Sequence, residues 1–87
     1  MYVLGSIKDK DLYIGSTPDL KRRLREHNSG KVLSTKPRAP FKLLYYEAYS
    51  LENEARHREM AIKLRGQARA QLLKRMGKTI KLFRKES

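Results

Sequence analysis

The chain has 87 residues, of which 39% are hydrophobic, a length and composition that suit one small folded domain rather than two domains or a disordered tail. Lys and Arg number 21 against 9 Asp and Glu, and this net charge of +12 favours nucleic acid as a partner over a membrane or an acidic protein. Cysteine is absent, which excludes disulfides, thiolate zinc sites and cysteine nucleophiles.

The first half of the chain is predicted to form a β-hairpin followed by a helix. Two short β-prone runs, 2–6 and 12–16, are separated by the polar turn IKDKD, which has hairpin length. Thr17 as N-cap, Pro18 at the first helical position and Asp19 near the positive end of the helix dipole predict that a helix begins there. The helix should end near residue 30, a glycine that can adopt the left-handed conformation of a helix C-terminus.

The middle of the chain is predicted to contain a basic loop, a strand and a second helix. Residues 31–40 hold two prolines and are expected to form the loop. Residues 41–49, FKLLYYEAY, are the strongest predicted strand because they are rich in aromatic side chains. Ser50 is the predicted cap of a helix over residues 51–64, which Gly66 then breaks.

The last part of the chain is predicted to form a third, shorter helix over residues 67–76. The tail from residue 77 is basic and weakly patterned, and we expect it to be loose. The domain is therefore predicted at 1–76 and the tail at 77–87. The order of elements predicts an α+β fold, with a small three-stranded, mainly antiparallel sheet flanked by about three helices. No segment is long and apolar enough for a secretory signal or a membrane span, so a cytoplasmic, nucleoid-associated location is expected.

The first predicted helix places polar side chains on its apolar side. At 100° per residue, Leu20, Leu24 and His27 lie in one narrow stripe, and Arg23 lies beside it. An arginine directed toward the sheet costs free energy unless it meets an anion, and no obvious internal acid is nearby in the sequence. A bound phosphate would match the guanidinium of Arg23 with two parallel hydrogen bonds. Alternatively, the side chain could extend past Leu20 so that its charge reaches water, and the periodicity favours neither arrangement.

The predicted hairpin brings two tyrosines near a glycine. Tyr13 and Gly15 share one face of their strand, as do Tyr2 and Leu4 of theirs. An even number of loop residues would put both tyrosines on the same side of the sheet, and an odd number would separate them. Gly15 leaves room for a backbone or a ligand to come close. The tyrosines would then line a polar pocket, although taken alone they fit better with ordinary sheet tyrosines whose hydroxyls reach water.

The second predicted helix carries an acid close to its buried side. Leu51, Ala55 and Ile62 mark that side, and Arg58 and Glu59 lie on or near it. A single carboxylate near the sheet is a candidate ligand for a hard cation such as magnesium. An ion pair between Glu59 and a neighbouring arginine is the alternative.

These residues together resemble the GIY-YIG nuclease superfamily, in particular its small stand-alone bacterial members, which are related to structure-specific endonuclease subunits. The resemblance runs from Tyr2 to about Arg69. The second motif is intact as YIG, whereas MYVL stands in for the first motif and keeps only its terminal tyrosine, eleven residues before Tyr13. By the same resemblance Arg23 takes the position of the catalytic arginine, His27 that of a frequent histidine, and Glu59, in EARHREMAIK, that of the metal-binding glutamate.

The resemblance implies a metal-dependent endonuclease that hydrolyses phosphodiester bonds in structured or damaged DNA, in the context of DNA repair. One Mg²⁺ or Mn²⁺ ion on Glu59 would stabilise charge as water attacks. Arg23 would hold the phosphate, Tyr13 would take the proton from water, and Tyr2 and His27 would orient the water or assist proton transfer; which group is the base stays open. The expected contacts with the nucleic-acid backbone are Arg22, Lys36 and Arg38.

Two other functions stay open. A catalytically weak or inactive nucleic-acid-binding module of the same fold is favoured by the reduced first motif and by the lack of a matching late asparagine, which many family members carry. It predicts salt-sensitive binding with no metal dependence. An interaction subunit would instead dock a larger repair protein through residues 41–49 or the third helix, and it predicts an exposed apolar patch there.

Overall fold

The computed structural model describes residues 1–86, which form a three-stranded antiparallel sheet with four helices, an α+β fold. Strands β1, β2 and β3 (Tyr2–Ser6, Leu12–Gly15 and Phe41–Tyr46) pair in the order β2-β1-β3. The helices α1, α2, α3 and α4 span Leu20–Asn28, Glu52–Leu64, Gly66–Arg75 and Gly77–Lys85. The predicted fold class is confirmed, with one helix more than predicted. No helix within residues 1–86 combines the length and apolar character that crossing a bilayer requires.

The register of the β1–β2 hairpin decides which face each tyrosine takes. Tyr2 pairs with Gly15, and Leu4 pairs with Tyr13. Residues 7–10 form the loop, and their even number puts Tyr2 and Tyr13 on the same face of the sheet. This is the arrangement that a shared pocket needs.

The helices cover both faces of the sheet. On the face with the tyrosines, Leu20 and Leu24 of α1 pack against buried Leu4 and Phe41. The other three helices cover the opposite face, where the larger hydrophobic core contains Val3, Ile14, Ile62, Leu72, Met76 and Ile80. Because alternate residues of a strand point to opposite faces of the sheet, successive side chains belong in turn to one core and then to the other.

Helix α1 begins later than predicted. Asp19, not Thr17, is its N-cap, and the Asp19 carboxylate accepts a hydrogen bond of 3.1 Å from the backbone N–H of Arg22. The Thr17 hydroxyl instead accepts one from the Asp19 N–H, also at 3.1 Å, so Thr17 and Pro18 form a turn that leads into the helix. At the other end Gly30 has φ 76°, the left-handed conformation that was predicted.

Three predicted boundaries in the second half also differ. β3 ends at Tyr46, three residues earlier than predicted. The N-cap of α2 is Leu51, which has no side-chain capping bond, so Ser50 does not cap this helix. The break between α2 and α3 lies at Arg65, whose extended backbone (φ −117°, ψ 110°) ends one helix and starts the next, and Gly66 is already the first residue of α3.

The largest departure from prediction is α4, because the expected loose tail forms a packed helix over Gly77–Lys85. Ile80 and Phe83 are buried in it, and Phe83 is only 1% exposed. The Phe83 ring fills the space that Gly5 leaves in β1, since a Cβ on Gly5 would stand 2.6 Å from two ring atoms. The helical spacing of Met76, Ile80 and Phe83 is a signal for this helix that the prediction missed, whereas the contact of the Phe83 ring with Gly5 joins residues too far apart along the chain to be predicted. Ser87, the end of the predicted tail, lies outside the described residues.

Replacing Phe83 with alanine is expected to lower the free energy of unfolding by about 3–5 kcal/mol, because it leaves a large cavity next to Gly5. Urea unfolding followed by circular dichroism measures this. Leu82→Ala is the matched control on the same helix, since Leu82 is 64% exposed and its loss should change stability little. Equal and small effects of the two substitutions would contradict the packing of α4 against β1.

Candidate active site

A cluster of aromatic and polar side chains lies beneath α1 on the face of the sheet that carries the tyrosines. The ring centroids of Tyr13 and His27 are 5.1 Å apart, and those of Tyr2 and His27 are 5.9 Å apart. Tyr2 and His27 are buried, whereas Tyr13 and Arg23 are partly exposed. The structure thus brings together four of the predicted site residues, which come from β1, β2 and α1.

A chain of hydrogen bonds runs through the buried part of the cluster. The Tyr2 hydroxyl is 3.0 Å from Nε2 of His27, and Nδ1 of His27 is 2.7 Å from Oγ1 of Thr35. The Thr35 hydroxyl in turn lies 3.4 Å from the carbonyl oxygen of Val32. Thr35 was not predicted as a site residue, because a single threonine in an irregular loop gives no periodic signal.

The two ends of this chain favour one arrangement of the protons on His27. The carbonyl of Val32 can only accept, and a Thr35 hydroxyl that donates to it across 3.4 Å accepts from the N–H at Nδ1 of His27. The guanidinium of Arg23, beside the Tyr2 oxygen, can only donate, so the Tyr2 proton needs Nε2 as its acceptor. Burial lowers the pKa of His27, and the charge of Arg23 lowers it further, so the ring is neutral at pH 7.

Replacing Thr35 with valine is expected to change the tautomer of His27, because the N–H at Nδ1 loses its acceptor while the shape of the site is kept. The lost bond should also lower the free energy of unfolding by about 1–3 kcal/mol. Nitrogen-15 NMR of the imidazole measures the tautomer, and Thr35→Ser, which keeps the hydroxyl, is the control. A wild-type ring protonated at Nε2 would contradict the assignment.

Gly15 is required by the position of Tyr2. A Cβ added to Gly15 would stand 2.6 Å from the Tyr2 hydroxyl oxygen and 2.7 Å from Cζ. The predicted gap at this glycine is therefore taken by the phenol of Tyr2, which lies across β2. A side chain at position 15 would displace the hydroxyl from His27.

Arg23 lies at the boundary between the buried chain and solvent. Its Nη1 is 3.3 Å from Oε1 of Glu26, a partly exposed acid three residues on, at the spacing of helix neighbours, which was not predicted as its partner. The Arg23 side chain is 36% exposed. An exposed pair of this kind contributes only about 0–1 kcal/mol, so the guanidinium can exchange Glu26 for a phosphate at little cost.

Glu59 reaches the cluster from the opposite layer. Its helix, α2, packs on the other face of the sheet, but its carboxylate lies at the end of the edge strand β2. There Oε1 accepts a 2.6 Å hydrogen bond from the Ser16 hydroxyl, and Oε2 accepts one of 2.6 Å from Nζ of Lys63. Nζ of Lys63 is also 5.9 Å from the centroid of the Tyr13 ring, so this lysine connects the carboxylate to the cluster.

The chemistry of Glu59 fits a magnesium ligand. Partial burial raises its pKa, but the hydrogen bonds from Lys63 and Ser16 outweigh this effect and lower the pKa below its usual value, so Glu59 is ionised at pH 7. Within residues 1–86 no three His, Cys, Asp or Glu side chains form a group that could hold a metal. A single carboxylate suffices for Mg²⁺, which is commonly held by one or two carboxylates together with water and substrate phosphates. Ser16 and Lys63 were not predicted as site residues.

A second carboxylate near the site, Glu47, is already fully engaged. It accepts hydrogen bonds from Nε of Arg58 at 3.0 Å, from the Tyr45 hydroxyl at 2.7 Å and from the Tyr49 hydroxyl at 2.6 Å. Although burial raises its pKa, these bonds bring it to about 2. Glu47 therefore stabilises the fold. Beside it lies a cavity of about 390 Å³ whose lining includes Glu47 and Tyr2, although Tyr2 itself is only 2% exposed.

The three predicted nucleic-acid contacts differ in their surroundings. Arg22 on α1 and Lys36 in the loop after it are exposed. Arg38 instead holds the β1–β2 turn, because its Nε donates to Oδ2 of Asp9 at 2.7 Å and its guanidinium lies 5.6 Å from the centroid of the Phe41 ring. Part of the charge of Arg38 is thus neutralised within the protein.

Comparison with known proteins places the chain among small proteins of related sequence. The model of the GIY-YIG catalytic domain matches residues 1–74. A UPF0213 protein of Streptococcus agalactiae serotype V is 48% identical over 64 residues, which is 72% of each chain. A UPF0213 protein of Streptococcus pyogenes serotype M3 is 47% identical over 66 residues, 75% of this chain and 71% of the relative. No solved structure gives a significant match.

Proposed function

The chain belongs to the GIY-YIG family of nuclease catalytic domains, and from this premise we propose that it is a metal-dependent endonuclease that hydrolyses phosphodiester bonds in structured or damaged DNA. One observation carries the proposal: Tyr2, Tyr13, Arg23 and Glu59, from four different elements, converge at the end of β2. A role in DNA repair and a cytoplasmic, nucleoid-associated location belong to the same proposal.

The substrate-facing part of the site consists of Arg23, Tyr13 and Glu59. The guanidinium of Arg23 would hold the scissile phosphate by two parallel hydrogen bonds and stabilise the charge that develops on its oxygens. The half-buried phenol of Tyr13, next to the ammonium of Lys63, would donate to another oxygen of the same phosphate. Glu59, oriented by Ser16, would hold a Mg²⁺ or Mn²⁺ ion, which supplies further positive charge at the phosphate.

We assign the removal of the proton from the attacking water to the pair of Tyr2 and His27. Burial raises the pKa of Tyr2, and although Arg23 opposes this, the phenol is protonated at neutral pH and is no base alone. The lone pair of Nε2 on neutral His27 is directed at the Tyr2 proton across 3.0 Å. The Tyr2 oxygen would accept the proton of water as its own proton passes to Nε2, and Thr35 keeps the ring in the tautomer that allows this.

Recognition by this site would depend on the shape of the DNA rather than on base sequence. The net charge of +12 favours contacts with the phosphate backbone, and such contacts position a protein without reading bases. Selectivity would then come from distorted or branched DNA that exposes a phosphate to the site at low energetic cost.

The test is cleavage of a panel of forks, flaps, junctions and plain duplex with Mg²⁺, Mn²⁺ or EDTA. We expect cleavage that requires metal, prefers branched DNA and falls by about 10²-fold or more in Glu59→Gln. Glu54→Gln, which changes an exposed acid on the same helix, is the control and should cut normally. Equal cleavage by the wild type and Glu59→Gln at matched purity would reject the site.

A non-catalytic nucleic-acid-binding module is the second candidate. It is favoured by the fact that Lys63 and Ser16 already satisfy both oxygens of Glu59. It predicts salt-sensitive DNA binding without any product in the same panel. A metal-dependent product that disappears in Arg23→Ala would exclude it.

The docking surface expected for an interaction subunit stays a prediction. Phe41 in β3 and Leu72 in α3 are only 4% and 2% exposed, so their hydrophobic surface is used within the domain. Within residues 41–49, however, Tyr46 and Tyr49 are 60% and 40% exposed and could contribute to a contact with a partner protein.

A further inference from the structure

A basic groove lies on the face of the sheet opposite the catalytic cluster. It has a volume of about 540 Å³ and runs between the start of β2 and the helices α3 and α4. Its floor is apolar, formed by Leu12, Leu73 and Ile80. Four cations surround that floor: Arg69, Lys81, Arg84 and Lys85. We call this surface the α3–α4 groove.

The cations of the α3–α4 groove are not neutralised within the described part of the chain. No carboxylate of residues 1–86 lies within 4.0 Å of any of the four, whereas Arg38, Arg58 and Lys63 each have such a partner. Asp11 is the single acid that lines the groove, and its Oδ1 accepts the backbone N–H of Leu12 at 2.9 Å. The groove therefore keeps a concentrated positive charge.

The sequence that forms this region is also rich in basic residues and free of acidic ones. From Met60 to Lys85 the chain carries nine Lys and Arg and no Asp or Glu. Like charges held together on two packed helices repel one another, and a polyanion that crosses them relieves this repulsion and releases its own counterions. The helix α4 lies beyond residues 1–74, so half of the groove is built outside the matched catalytic domain.

We propose that the α3–α4 groove is a second nucleic-acid-binding site, which holds the phosphate backbone of a DNA segment other than the one at the catalytic cluster. The apolar floor is recessed, since Ile80 is 9% exposed and Leu12 and Leu73 are half-buried. Insertion into a membrane needs several apolar side chains that project beside the cations; the recessed floor supplies none, and on α3 and α4 Leu82 is the one large apolar side chain that is exposed. A rim of cations on two helices fits a run of phosphates.

The position of the α3–α4 groove affects which kind of DNA the protein should prefer. Leu12 packs into the core on the groove side, and Tyr13, the next residue, packs on the side of the cluster. The two binding surfaces thus lie on opposite faces of β2, and one molecule can contact two DNA segments at once. Branched DNA, which offers two segments close together, should bind more tightly than linear duplex. This preference deepens the proposed function, but binding in the groove does not depend on cleavage.

The test compares two double substitutions with the same change in charge on the same two helices. Arg69→Gln with Lys81→Gln removes two cations of the groove, and Lys74→Gln with Lys78→Gln removes two outside it. Binding of the full chain to a labelled four-way junction and to linear duplex is measured by fluorescence anisotropy in EDTA from about 50 to 200 mM salt.

The groove variant is expected to lower the slope of log K against log salt by about 2 on the junction and to lose the preference for the junction over linear duplex. The control variant should change neither. Equal changes in the two variants would overturn the proposal, because they would show a diffuse charge effect. Unchanged DNA binding, with loss of binding to phosphatidylserine vesicles or to polyglutamate, would also overturn it. If groove-dependent binding is found without cleavage, only the nuclease proposal fails.

Discussion

Replacing Arg23 with alanine is expected to lower the rate of metal-dependent DNA cleavage by about 10³-fold, because the site loses the donor that holds the developing charge on the phosphate. The fold should change little, since Arg23 is 36% exposed and its ion pair with Glu26 is weak. Single-turnover cleavage of a labelled flap measures the chemical step, and circular dichroism confirms folding.

Two other arginines of α1 are the matched controls for Arg23. Arg25 is exposed and directed away from the cluster, so Arg25→Ala should cut at the wild-type rate. Arg22 is a predicted backbone contact, so Arg22→Ala should weaken DNA binding uniformly and lower the salt slope by about 1, with little change in the chemical step. A loss in Arg23→Ala that appears only in binding would contradict its role in stabilising the transition state.

Replacing Tyr2 with phenylalanine is expected to lower the cleavage rate by about 10²–10⁴-fold, because it removes the oxygen that transfers the proton of water to His27. The ring and its packing against Gly15 are kept, so the loss of cleavage should appear in the chemical step, while the lost bond to Nε2 of His27 should lower the free energy of unfolding by about 1–3 kcal/mol, as in Thr35→Val. Tyr46→Phe is the control: Tyr46 is the cross-strand neighbour of Tyr2 but is 60% exposed. Normal cleavage by Tyr2→Phe would contradict the assignment of Tyr2 and would leave Tyr13 as the candidate for the base.

The pH dependence of cleavage should report the protonation of His27. The titratable and charged groups that face its ring are Tyr2, Tyr13, Arg23 and Glu26, and burial together with Arg23 lowers the pKa of His27 below its usual value. His27 must be neutral to accept the Tyr2 proton. Activity should therefore be full above this pKa and fall as the pH drops through it, which puts the acid limb below about pH 6.5. An acid limb above pH 7 would contradict the assignment.

The sequence by itself determined the features that depend on local periodicity and short motifs. Alternation along the strands placed Tyr13 with Gly15 on one face, and the helical period put Arg23 and His27 on one side of α1. These features could be predicted because neighbouring residues decide them through bond geometry. The order of elements and the family motifs then sufficed for the α+β fold and for membership of the GIY-YIG family.

Only the tertiary structure decided which side chains from different helices, strands and loops contact one another. Thr35 bonds to His27 from an irregular loop, and Glu59 reaches from the opposite layer to Ser16 at the edge of the sheet. The apolar side chains Met76, Ile80 and Phe83 recur at helical spacing, so the last helix could have been predicted, but the gap that the Phe83 ring fills lies 78 positions earlier, at Gly5. Each of these contacts joins residues whose separation along the chain carries no periodic signal. Their free energy comes from packing and hydrogen bonds that exist only once the sheet and helices are assembled.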